Sequence, residues 1–276
     1  RWYMIANAQP WDNLKFDASG IEEVQRKFFG TLYNTYSFFA LYANIDGFNY
    51  AEQKIPIAQR TELDRWILSE LNSLIKNVEE NYEQYEPTRA ARLIQYFTTD
   101  KLSNWYVRLS RRRFWKGEYN SDKIAAYQTL YECMEKAAIL AAPISPFFMD
   151  RLFQDLNTVS QRSSVSSIHL APFPKADRKK IDSQLEQRMR LAQNITSLIL
   201  SLRKKEQIRV RQPLEKIMIP VLNSEMTANI KAVENIILSE INVKKIEYLT
   251  ADSKLLIKQI KPNFKNLGPK YGKDMK

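Results

Sequence analysis

Apolar residues recur at helical spacing in one segment after another of this 276-residue chain, and that repetition constrains the fold more than any single motif. Ile21, Val24, Phe28, Leu32, Phe39 and Tyr42 predict a helix over about 21–43 that closes near Asp46 and Gly47. Thr61-Glu62-Leu63-Asp64 has the form of a capping box, in which a hydroxyl and a carboxylate satisfy the free amides of a helix start. Leu63, Ile67, Leu71, Leu74, Val78 and Tyr82 carry that helix onward, and Pro87 closes it. Thr88 is read as the cap of a third helix through Leu93, Ile94, Phe97, Leu102, Trp105 and Leu109. Ser121 and Asp122 start a fourth through Tyr127, Leu130, Cys133, Met134, Ala137 and Leu140, and Ser145-Pro146 starts a short fifth over 147–156.

The pattern then changes. Residues 157–167 are serine-rich and aperiodic, and Pro172 and Pro174 mark a boundary. A long helix is expected from about Asp182 to Glu206 on Leu185, Met189, Ala192, Ile195, Ile199 and Leu202, ending in Arg203, Lys204 and Lys205. Beyond it, residues 216–222 and 243–250 are β-branched and apolar, flanking a helical pattern over 226–240, and 254–260 would add a third strand. The expected fold is mainly α: a stem over 1–20, a helical bundle over 21–175, and over 176–276 a long helix with a small α+β module and a basic tail. The stem, with Trp2, Tyr3, Trp11 and Phe16, is too apolar to lie free and must pack on something.

Composition narrows the function. Forty-two basic side chains against 31 acidic ones give a net charge of +11, which favours an acidic partner, nucleic acid first. No apolar run is long enough to span a bilayer and no secretory leader opens the chain, so a cytoplasmic protein is expected. One cysteine, Cys133, allows no internal disulfide, and with the single histidine, His169, it cannot build a Cys/His zinc site. Cys133 reads as a small core residue and His169 as a loop or packing residue. Six scattered glycines leave no glycine-rich phosphate loop. No constellation for nucleophilic or acid-base catalysis is visible, so binding is the better reading.

The densest functional signal runs from Asn104 to Trp115, where four arginines and four aromatics share twelve residues. Arginine offers a planar charged fork to phosphates and base edges, and an aromatic ring offers a face to an unstacked base, which points to structured RNA. Arg111, Arg112 and Arg113 fan over roughly 200° of a helix and cannot share one face, so at least one must sit at a helix end or tuck inward. Arginines also complement the helix dipole at a C-terminal end, an ordinary structural reading for Arg108 in particular. A second cluster, Arg203, Lys204, Lys205, Arg209 and Arg211, sets five cations against one acid within nine residues and calls for phosphate neutralisation. The lysines from Lys254 to Lys276 form a weaker third group.

The string Asn-Trp-Tyr-Val-Arg followed by Arg-Arg-Arg-Phe-Trp resembles the anticodon-binding domain of isoleucyl-tRNA synthetases, class I enzymes. Ile208–Leu214 and Pro10–Asp17 resemble the same family, and the turn at Ala142–Phe147 resembles one shared with the leucyl, valyl and methionyl relatives. The resemblance implies a fragment that binds isoleucine-accepting tRNA and is joined to the rest of a monomeric synthetase. ATP and Mg2+ would serve the parent enzyme, with no catalytic residue, cofactor or metal in the fragment. It also implies anticodon contacts at Asn34 and Trp115, by position in the methionyl relatives, and at Arg112 or Arg113. Asn34 as a solvated amide and Trp115 as a plug for the bundle end remain open readings. The cysteine-rich zinc module that ends many bacterial members has no match here. A valyl or leucyl fragment, or a helical module docking acidic protein, is the alternative.

Overall fold

The computed structural model describes residues 1–249 and Ser253. They divide into two compact units, Arg1–Glu186 and a second from Gln187 onward. The first unit is a helical bundle. Helix α1 (Trp2–Asn7) leads to α2 (Ala18–Val24), which continues through a π-helical turn, Gln25–Phe29, into α3 (Gly30–Asp46). Asp17 caps α2 by accepting from the Ser19 amide, and Gly47 ends α3 in the left-handed region at φ 71°, where a Cβ would be strained.

Helix α4 (Glu62–Glu83) starts on the capping box read from the sequence, with Thr61 and Asp64 each satisfying the other's backbone amide. Helix α5 (Pro87–Tyr96) begins with proline at its first turn, and the Thr88 hydroxyl, expected as the cap, instead donates to the Ala8 carbonyl and ties α5 to the stem. The chain runs on without a break through an eleven-residue π segment, Phe97–Val107, into α6 (Arg108–Trp115). Helix α7 (Ser121–Ala141) is buried almost all round, with Ala125, Ala126, Ala137 and Ala138 letting its neighbours approach closely. Helix α8 (Pro146–Ser160) runs four residues beyond the expected 147–156, because Asn157 remains helical while its side chain brackets both polar groups of the Ser163 backbone. Trp66, Phe97, Tyr106, Phe114 and Tyr127 form fully enclosed parts of this core.

The stem packs only in part. Trp2 and Tyr3 are buried, with Trp2 stacked on Phe28 at 4.1 Å, whereas Trp11 and Phe16 remain 65% and 73% exposed. Gly20 is where the stem meets α2 most closely: a Cβ there would overlap the ring of Tyr3, which is itself held by its hydroxyl on the Lys15 carbonyl. Gly20→Ala is expected to cost about 1–3 kcal/mol by overpacking, read as a lowered urea midpoint.

The bundle does not stop at residue 175. The Asp177 amide donates to Asn72 Oδ1 at 2.8 Å, the Asp182 amide to Ser69 Oγ at 2.8 Å, and Ser69 Oγ to Glu186 at 2.5 Å, so the segment after the prolines stays on α4. Helix α9 (Ser183–Lys205) begins there and carries the chain into the second unit. In that unit, β1 (Leu214–Pro220) pairs in parallel with β2 (Val243–Leu249), with Ile217 opposite Ile246. Between them α10 (Ser224–Ala232) and α11 (Glu234–Ile241) make the crossover, and Ile217, Ile219, Ile230, Ile237 and Ile241 are buried. The strand expected over 254–260 and the lysines beyond it lie outside the described residues.

Candidate nucleic-acid interface

The Asn104–Trp115 string lies at the C-terminal end of the long α5–π–α6 helix. In α6, residues three, four and seven apart return to one face, so Arg108, Arg111, Arg112 and Trp115 fall within about 100° of arc. All four are exposed, Trp115 at 49%, while Ser110 and Phe114 are buried on the opposite side. Phe114 anchors the helix, meeting Phe38 edge-on at 5.2 Å and Tyr127 at 5.1 Å. The Arg111 guanidinium lies 6.0 Å from the Phe38 ring centre, and Arg108 lies 5.8 Å from the Trp105 ring. Arg111 and Arg112 are in no ion pair among the described residues.

Arg113 points the other way. Its two terminal nitrogens donate to the two Asp64 oxygens at 2.9 and 2.8 Å, and it also holds Asp122 at 2.8 Å. Asp64 is fully buried and accepts from the Tyr106 hydroxyl at 2.6 Å as well as from Thr61. Burial opposes the Arg113 charge, but the Asp64 hydrogen bonds and neighbouring charges outweigh it and raise its proton affinity. Burial followed by the Asp64 charge pushes the Tyr106 phenol far above its ordinary value, so it stays a donor. Arg113 is the inward-turning arginine that helix geometry demands, and it fixes α6 against the start of α4.

Asn34 is exposed on α3, one turn before Phe38. The sequence reading missed its company: Leu41 and Ile45 are 55% and 68% exposed on the same side of α3. The available signal was an apolar stripe on both faces of one helix, more than a single core face needs. At the adjoining end of the bundle Asp46 accepts from Tyr127 at 2.5 Å and pairs with Lys123 at 2.7 Å, which fixes the C-terminus of α3 to the start of α7.

In the second unit Arg203 is 3% exposed. Its guanidinium donates to the carbonyls of Arg209, Gln212 and Asn242, each at 3.1 Å, while Asn242 Nδ2 donates to the carbonyls of Val210 and Arg211. The expected apolar stripe of α9 therefore ends on Arg203 rather than Leu202, which is 54% exposed. Lys204, Lys205, Arg209 and Arg211 are exposed around the loop so formed. Arg113 and Arg203 are thus turned into the fold, and the other nine candidates are exposed at the surface.

Among the described residues no group of three or more His, Cys, Asp or Glu could hold a metal ion, and no helix is long and apolar enough to cross a membrane. Cys133 is buried and its thiol is pushed up by desolvation, the opposite of an activated nucleophile. His169 is exposed on a short 3-10 turn.

Residues 64–219 match the family described as the anticodon-binding domain of tRNA ligase. The whole chain is 62% identical to part of the isoleucine–tRNA ligase of Cytophaga hutchinsonii and 60% identical to part of that of Bacteroides thetaiotaomicron. Over 88% of the chain it is 44% identical to the isoleucine–tRNA ligase of Dehalococcoides mccartyi. It spans about a quarter of the length of these relatives. A helical bundle, an arginine and tryptophan face at the end of its long helix, and a family match over more than half of the chain agree: the chain belongs to the anticodon-binding domain family of tRNA ligases.

Proposed function

We propose that the chain is the tRNA-binding part of an isoleucine–tRNA ligase, and that the α6 face reads single-stranded bases of the anticodon loop. The observation that carries this is the shared exposure of Arg108, Arg111, Arg112 and Trp115 on one helical face. Trp115 supplies the stacking surface, Arg111 and Arg112 reach base edges, and Arg108 takes a phosphate. Asn34 on α3 borders the same region, and Lys204, Lys205, Arg209 and Arg211 dock backbone phosphates elsewhere on the tRNA. Arg113 and Arg203 hold these surfaces in shape and do not touch RNA. In this reading the parent is a cytoplasmic monomer that joins isoleucine to tRNA using ATP and Mg2+, held by segments other than this one.

The test is the affinity of the chain for isoleucine tRNA and for the same tRNA with a swapped anticodon, each across a salt series. Phosphate contacts weaken steeply with salt, while base contacts separate the two RNAs. We expect a preference for the isoleucine anticodon that persists at moderate salt. Equal, salt-sensitive affinities would leave only a basic docking surface, and binding unaffected by RNA competitors would favour an acidic protein partner.

A further inference from the structure

Between α3 and α8 an open cavity of about 110 Å3 is lined by Tyr36, Phe39, Asn44, Tyr131, Asp155 and Ser160, among others. That is about three quarters of the roughly 150 Å3 dry cavity that accepts benzene, and because this one is open a single ring can seat in it with its outer edge at the mouth. The lining is held in place. The Tyr131 hydroxyl and Ser160 Oγ are 2.6 Å apart, and the Arg162 guanidinium lies 5.2 Å from the Tyr131 ring and 4.1 Å from the Tyr50 ring. Asp155 is oriented by Arg151, whose Nε lies 2.9 and 3.0 Å from its two oxygens. Burial, then the Asp155 charge, raises the Tyr36 phenol and keeps it protonated.

The polar groups select the occupant. A carboxylate in the lining disfavours a phosphate or another anion, and a purely apolar ligand would leave Asn44 without a role and the remaining acceptor capacity of Asp155 unused. A nucleobase amine suits both, because carboxylates accept from exocyclic amines of bases and Asn pairs with an amine and the ring nitrogen beside it. Placement agrees with this. Helix α3 carries Tyr36, Ala40 and Asn44 on the cavity flank, and on its other flank Phe38 meets Phe114 and Arg111 of the arginine face. One helix, about 10–12 Å across, separates the two surfaces, and a short run of single-stranded RNA spans that.

We propose that this cavity takes the amine-bearing ring of one unstacked adenine or cytosine, with Asp155 accepting from the amine and Asn44 pairing with the adjacent ring nitrogen. The proposal rests on the RNA-binding reading above and adds a second, base-selective site to it.

The test uses the full chain and three short RNAs at low salt: a uridine tract, and the same tract with one central adenine or cytosine. Unmodified protein should prefer the adenine and cytosine RNAs by about tenfold. Ala40→Leu, which fills the cavity, and Asp155→Ala, which removes the acceptor at a partly exposed position, should each erase that preference and leave uridine-tract binding unchanged. Arg112→Ala should weaken all three RNAs alike. If the unmodified protein shows no preference while Arg112→Ala still weakens binding, the cavity is not a base site and the arginine face stands. Persistence of the preference in both cavity variants would also overturn the proposal. Absence of binding to every RNA would overturn the RNA-binding reading and the cavity with it.

Discussion

Asp64→Ala should lower the stability of the bundle by about 3–5 kcal/mol, the range for removing one partner of a buried ion pair. The fully buried carboxylate accepts from Thr61, Tyr106 and both terminal nitrogens of Arg113. Alanine would leave Arg113 with Asp122 as its remaining carboxylate, an exposed one, and Tyr106 with the Ala126 carbonyl at 3.5 Å. It would also remove the reciprocal cap of α4. Asp64→Asn preserves the volume and one acceptor oxygen, so its loss should be smaller. Urea unfolding followed by far-ultraviolet circular dichroism ranks the two variants. A midpoint for Asp64→Ala equal to that of the unmodified protein would mean that this network contributes nothing net, as happens when desolvation cancels the attraction.

Trp115→Ala and Arg112→Ala should each weaken binding to isoleucine tRNA by about 1–3 kcal/mol, the range for loss of one base–aromatic stack or one good base contact. That corresponds to roughly 5- to 150-fold in affinity. Both side chains are exposed on α6, so the unfolding midpoint should move little. Arg113→Ala gives the contrasting signature. It breaks the Asp64 pair, so the unfolding midpoint falls, and any loss of affinity should shrink at temperatures where the variant is folded. Unchanged affinity in Trp115→Ala with an unchanged midpoint would make that ring a plug for the bundle end and remove it from the interface.

The comparison of sequence with structure turns on which way side chains point. Helical period and terminal signals located α3, α4, α7 and α9, although α7 is capped by Asn120 and not by the Ser121-Asp122 pair read as its start. The two strands of the small sheet were legible from two β-branched runs around a helical pattern, while their parallel pairing and the break of that pattern into α10 and α11 at Val233 were not. The π segments were not, since period counting assumes one helical pitch throughout. Charge density found the Asn104–Trp115 string and the 203–211 cluster, but it weights all arginines equally. Arg113 and Arg203 share the composition of their neighbours and differ only in facing a buried carboxylate and a set of carbonyls, a distinction carried by tertiary contacts. The α3–α8 cavity was invisible for the same reason: its lining comes from positions far apart in the chain, none of them unusual locally.

In the loop after α9, shape and charge are encoded by different atoms. Arg203 and Asn242 grip main-chain carbonyls of residues 209–212, groups that every amino acid possesses, whereas Arg209 and Arg211 contribute side chains that the loop does not need for its form. Charge there can drift one substitution at a time, so the loop can be retuned electrostatically without being rebuilt. Arg203 has no such latitude, because lysine at that position would bring a single point of charge to carbonyls arranged for a planar fork.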